Sequence, residues 1–287
     1  MRSNYLFVFM SCGLLAISSC KPDTTSNTEM NKGNIEDTVK THSMNKDYFI
    51  RFNNEEQRTA GVETIFRFTP RANADTSKFV ELQTLHDKKM HVIIVKKDLS
   101  LFYHVHPVLA KNGEYSIPFS FSYGGEYVIF VDYMPVNSDQ QLERIELTVE
   151  GESYTAKEYT NQQLSTKIDD FEIQLIPENE SIETMHPTAI TVRIKRKGNE
   201  INANALDDYL GAKAHMVVIS ASTKEYIHVH PYVKDKSLML HAEFPQPGMY
   251  RGWLQFQYKG QLRTAEFVFE VKQSKSDNIK SNHEHTH

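Results

Sequence analysis

Six of the thirteen histidines in this chain recur at one fixed spacing. His91, His104 and His106 frame the stretch His91-Val-Ile-Ile-Val-Lys-Lys-Asp-Leu-Ser-Leu-Phe-Tyr-His104-Val-His106-Pro107. His215, His228 and His230 frame a second such stretch, each 124 residues after its counterpart. Neutral imidazole is the commonest metal-ligating side chain, and three imidazoles on one ion leave a further position open. Affinity order favours copper for such a set, and zinc is also suited to it. The competing reading is structural: His-Val-His-Pro is a packing and turn motif, its imidazoles bonded to backbone carbonyls and repeated only because the surrounding domain is repeated.

The elements that must position these side chains are legible in the same stretch. Residues 90–95 are apolar and rich in β-branched types, and 101–106 also read as a strand, with a short turn between them. Antiparallel pairing around Asp98 and Leu99 sets His91 opposite His106 and His104 opposite Ile93. Alternation then puts all three histidines on one face of the hairpin. Directly opposed Cβ atoms lie about 4.5–5.5 Å apart and diagonal ones about 7–8 Å, so the imidazoles can converge. A slip of one residue would destroy the arrangement. The second stretch predicts the same geometry. Met90 and Met216 alternate onto the opposite face and are expected in the core, with Met239 as a further filler. By the same alternation His241 is expected at the surface. His86 precedes the first motif, but Leu210 stands at the matching place in the second, so it is not expected to be a general ligand.

The copies continue through Phe121, Gly125 and Tyr127, matched by Phe244, Gly248 and Tyr250 after one deletion. A duplicated domain is the simplest explanation. Short strands with regular turn signals predict an all-β chain of two tandem β-sandwiches, Ig-like or cupredoxin-like. The first domain is expected over 47–150, a polar linker over 151–166 and the second domain over 167–272. In the first domain one strand is expected over 62–68, ended by Thr69-Pro70. The last segment, 273–287, is polar, ends in His283-Glu-His285-Thr-His287, and is expected to be a disordered tail, either a solvated end or one that gathers ions loosely.

Ahead of the first domain, Arg2 and an apolar run from Tyr5 to Ile17 suit a secretory signal, too short for a membrane span. Ile17-Ser18-Ser19-Cys20 resembles the bacterial lipoprotein processing box. The resemblance implies a signal peptide over 1–19, removed before Cys20, and lipid attached to Cys20, palmitate included. Lys21 after it implies, by analogy, the periplasmic face of the outer membrane. Residues 20–46 are polar and read as a disordered tether in which His42 and Met44 are plain members. The only other cysteine, Cys12, falls inside the signal, so no disulfide or thiolate ligand is expected in the mature chain. Net charge is −5 and no basic patch with interleaved aromatics points to nucleic acid.

Lys89-Met-His91 and Lys213-Ala-His215, each opening an apolar strand, together with the aromatic-x-His-Val-His-Pro run and Gly-x-Tyr in both copies, resemble small exported bacterial β-domains grouped as YtkA-like and FixH-like and copper-resistance accessory proteins. The resemblance covers about residues 48–272. It implies a sandwich fold and heavy-metal handling, with His91, His104, His106, His215, His228 and His230 as the matching positions. It does not imply an enzyme. Cupins also use His-x-His, but the Glu they need about four residues on is replaced by Ala110 and Lys111 in one copy and Lys234 and Asp235 in the other. No nucleophile elbow or phosphate loop occurs. The expected function is non-catalytic capture of copper or zinc for buffering or delivery to an efflux system. A lipid-anchored interaction module with structural histidines is the alternative.

Overall fold

The computed structural model describes residues 47–52, 58–229 and 231–274, and for His228 its backbone. The signal, Cys20, the tether, His230 and the histidines of the tail lie outside the described residues. No α-helix occurs among those described.

The first repeat contains eight strands: β1 (Tyr48–Phe52), β2 (Glu63–Ala72), β3 (Met90–Lys96), β4 (Phe102–Val105), β5 (Val108–Leu109), β6 (Tyr115–Ser120), β7 (Gly125–Tyr133) and β8 (Gln141–Val149). They form two four-stranded sheets, in the orders β1-β2-β6-β5 and β4-β3-β7-β8. Strand β2 runs on through Pro70, past the expected stop. It pairs with β6 only up to Phe68 and with β1 from there to Ala72, so Pro70 lies where one side of the strand needs no ladder donor.

The second repeat contains β9 (Ser165–Ile168), β10 (Phe171–Pro177), β11 (Ile182–Glu183), β12 (Thr188–Arg196), β13 (Asn199–Glu200), β14 (Ala214–Ser220), β15 (Tyr226–Val229), β16 (Tyr232–Lys234), β17 (Ser237–Ala242), β18 (Gly248–Tyr258) and β19 (Gln261–Lys272). One sheet runs β16-β17-β12-β10-β9, with β13 on β12, and the other runs β11-β19-β18-β14-β15. The path β15-β14-β18-β19 repeats β4-β3-β7-β8 strand for strand. The chain is thus two tandem β-sandwiches. Ser274 is still packed on the second, its N–H donating to Thr184 Oγ1.

Each sandwich has its own core. Met90, Val92 and Ile94 of β3 join Phe66, Phe68, Tyr127 and Ile129 in the first. Met216 and Val218 of β14 join Phe171, Ile190 and Phe256 in the second. Met239, by contrast, is only part-buried, with its sulfur on Thr191 Oγ1, and His241 is half-buried beside Tyr232.

A third cluster joins the two sandwiches. The other faces of β3 and β14 supply Ile93 and Val95, and Val217 and Ile219, with Leu99, Val128, Phe130, Tyr226 and Trp253 around them. Every residue of both strands is buried in consequence. Phe102 stacks on Trp253 at 4.7 Å, and Phe130 meets Tyr226 at 5.1 Å. Tyr226 is the counterpart of Phe102 and Trp253 that of Phe130, so this is one contact made twice with the repeats exchanged. The interface is a pseudo-twofold, self-complementary one.

The segment expected to be a polar linker is docked. Tyr159 donates its hydroxyl to Leu99 O, Asp98 Oδ2 accepts from Lys157 N, and the Arg251 guanidinium lies 4.5 Å from the Tyr159 ring centre.

Candidate metal centre

The first hairpin has the register its sequence implies. Val92 pairs with Val105 and Ile93 with His104, which carries His91 opposite His106 just beyond the ladder. The turn closes through Leu99 N to Lys96 O, with Leu99 left-handed at φ 58°. In the second hairpin Met216 pairs with Val229 and Val217 with His228, the same register.

His91 is 1% exposed, and His104 and His106 are half-buried. His91 Nδ1 lies 3.2 Å from His104 Nε2 and 3.2 Å from His106 Nε2. One nitrogen from each ring falls within 4.8 Å of the others, so the group can hold a metal ion. Metal–nitrogen bonds of about 2.0–2.1 Å in tetrahedral geometry put ligand nitrogens about 3.3–3.4 Å apart. Two of the three separations need relax by only a few tenths of an ångström to meet that value.

The outward nitrogens decide which tautomers are present. His91 Nε2 lies 2.8 Å from Leu85 O, a group that only accepts, so Nε2 carries the proton and donates it. His104 Nδ1 lies 2.6 Å from Gln255 Oε1 and donates there. Gln255 Nε2 donates to Thr264 Oγ1, which holds the amide oxygen toward His104. Both rings therefore turn the nitrogen lone pair inward, the orientation that outer partners impose on metal-ligating histidines. Burial, then the charges of His91, Lys88 and His215, pushes His106 down to about 3. It is neutral at physiological pH and able to act as a ligand.

Around the three lie further groups, of which the sequence singled out only His86 and His215. Asp132, buried, sits directly across from His91 on β7 and accepts from Gln140 Nε2. Gln255 holds the matching place across from His215 on β18. His86 has its ring 6.2 Å from that of His91 and 5.4 Å from that of His215. It sits with Asp87 in a left-handed turn, φ 48° and 62°, closed by Leu85 and Lys88. The counterpart turn carries Leu210 and Gly211 at φ 52° and 74°, closed by Tyr209 and Ala212. The two turns lie against each other: a Cβ on Gly211 would stand 3.4 Å from Asp87 Oδ2. His215 is 1% exposed, with Nε2 2.9 Å from Tyr209 O and 3.1 Å from Leu210 O, as His91 is held by Leu85. The structure thus brings His91, His104 and His106 together and places His215 beside them across the interface. His228 follows in the register of β15.

A family model matches the chain twice, at residues 43–152 and 166–273, under the description domain of unknown function DUF8832. The chain belongs to the DUF8832 family. The two matches coincide with the two sandwiches of this DUF8832 chain, so the duplication is of one family domain. No curated protein sequence matches. Among solved structures, the chain is similar to the Escherichia coli adhesin FdeC at 12% identity and TM-score 0.26, over 79% of this chain and 64% of the adhesin. It is similar to elastase-activated Escherichia coli alpha-2-macroglobulin at 14% identity and TM-score 0.26, over 78% of this chain and 20% of that one. A tetra-tandem repeat from the extending region of a large adhesion protein gives 10% identity and TM-score 0.25, over 79% and 49%. The chain thus spans less than two thirds of each, and likenesses this distant carry no statement about function.

Proposed function

We propose that this protein is a non-catalytic metal-binding lipoprotein of the cell envelope, whose first repeat takes up one zinc or copper ion on His91, His104 and His106. The observation that carries the reading is the convergence of three imidazole nitrogens, with the outward N–H groups of His91 and His104 bonded elsewhere. A packing motif needs the outward bonds alone. It gives no reason for two lone pairs to be turned toward each other at 3.2 Å. Neutral nitrogen donors suit zinc and both copper oxidation states, and the set does not choose between them. The second repeat offers His215, His228 and His230 for a second ion. The lipid on Cys20 would hold both domains at the periplasmic face of the outer membrane, where captured ions are buffered or passed to an efflux system.

The test uses the chain from Lys21 with His283, His285 and His287 replaced by alanine. Zinc and copper(I) are titrated against chelators of known affinity, in this chain and in its His104→Ala/His106→Ala variant. The expected result is one ion fewer in the variant with folding intact. Equal binding by both, or none by either, removes the metal reading and leaves the histidines as structural parts of an interaction module.

A further inference from the structure

Resting on the metal reading above, we propose that the first repeat's ion site is completed by the second repeat, with Gln255 as its positioning residue, so that metal loading and docking of the two sandwiches are linked. His104 belongs to the first sandwich, yet the acceptor that sets its tautomer belongs to the second, 151 residues away. With Gln255 withdrawn, the His104 Nδ1–H loses that acceptor. The ring is then free to move its proton to Nε2, where it would block a metal.

The support is itself rigid. Gln255 is buried, sits within β18 directly across from His215, and is tied to Thr264 of β19. Two residues before it, Trp253 is stacked on Phe102, itself two residues before His104. The same two strands therefore carry the apolar contact and the polar one. A change in the first displaces the second. His86 against His215 closes the other side of the site between the repeats.

Linkage is reciprocal: if docking strengthens metal binding, metal must strengthen docking by the same factor. A partner that pried the sandwiches apart would weaken the site and release the ion, without touching a ligand.

The experiment uses the whole chain from Lys21, with the three tail histidines replaced, and zinc as the probe. Zinc affinity of the ion lost in His104→Ala/His106→Ala is compared in wild type, Gln255→Leu and Gln255→Glu. Loss of an outer partner typically costs 10–100-fold in metal affinity, and that loss is expected for leucine. Glutamate, which keeps an acceptor oxygen, is expected to restore binding. Trp253, the single tryptophan, reports docking by its fluorescence. Its thermal transition is expected to rise with zinc in wild type and to rise less in Gln255→Leu. Nitrogen-15 NMR of the metal-free wild type is expected to show His104 protonated at Nδ1. Unchanged affinity in Gln255→Leu, or His104 protonated at Nε2, overturns the proposal while leaving a metal site in place. A wild-type chain that takes up neither zinc nor copper(I) overturns both.

Discussion

At the scale of the residue, the three histidines do different work. His91 is fully buried in β3, and its Nε2–H satisfies Leu85 O in the turn before the strand. Replacing it removes that bond, leaves Leu85 O with the Lys88 N–H alone, and opens space beside the interface. A typical intramolecular hydrogen bond contributes about 0.5–1.5 kcal/mol net. His91→Ala should therefore lower the urea-unfolding stability of the metal-free protein by that amount. His106, half-buried beyond the end of β4, should cost well under that as alanine, although either change removes a ligand. Equal losses in both variants would mark the cluster as one packing unit rather than a site with a structural ligand and an adaptable one.

At the scale of the element, the hairpin turn is fastened from outside. Asp98 accepts from the backbone and hydroxyl of Ser100 through Oδ1, and from Lys157 of the docked connecting segment through Oδ2. Burial alone would raise its pKa. The bonds from Ser100 and Lys157, aided by Lys96, outweigh that and hold it below the usual 3.8. A carboxylate with a lowered folded pKa stabilises the native state fully above its unfolded value, and that stability is lost as pH falls through the lower folded value. The segment from 152 to 160 should then gain hydrogen-exchange rate or protease sensitivity below about pH 4, relative to pH 6, beyond the intrinsic change. Asp98→Asn should show the looser behaviour at both pH values. A wild-type segment equally protected at pH 3 and pH 6 would rule out Asp98 as its fastener.

At the scale of the whole molecule, duplication has produced a self-complementary interface. Phe102 on Trp253 and Tyr226 on Phe130 are the same contact in exchanged roles. The apolar outer faces of β3 and β14 are what an isolated sandwich would expose to water, and each covers the other. The two domains should therefore unfold in one calorimetric transition. Trp253→Ala removes the largest buried side chain, for which losses of about 3–5 kcal/mol are usual. It should also split the transition in two. Two resolved transitions in the wild type would show that docking contributes little to stability.

What the sequence determined by itself was local or copied. Strand period, turn position and the pairing sum of the hairpin fall within sixteen residues, so His91, His104 and His106 could be put on one face from alternation alone. The repeat could be read because one domain was written twice. Met90 and Met216 went to the core by the same alternation. What only the tertiary structure decided is the surroundings of that face. The connecting segment, polar and read as a linker, is held by groups about sixty residues away, and part of its end pairs as β9. Gln255 and His86 carry no spacing signal, because their partners lie in the other repeat or across a turn whose direction only packing fixes. One trace was present: Ile93, Val95, Val217 and Ile219 are apolar on the side shared with the histidines. A strand buried on both faces reads as a continuous apolar run. Such a run states that something covers the outer face. It does not say what, because the energy of that contact depends on two surfaces meeting and is recorded in neither strand alone.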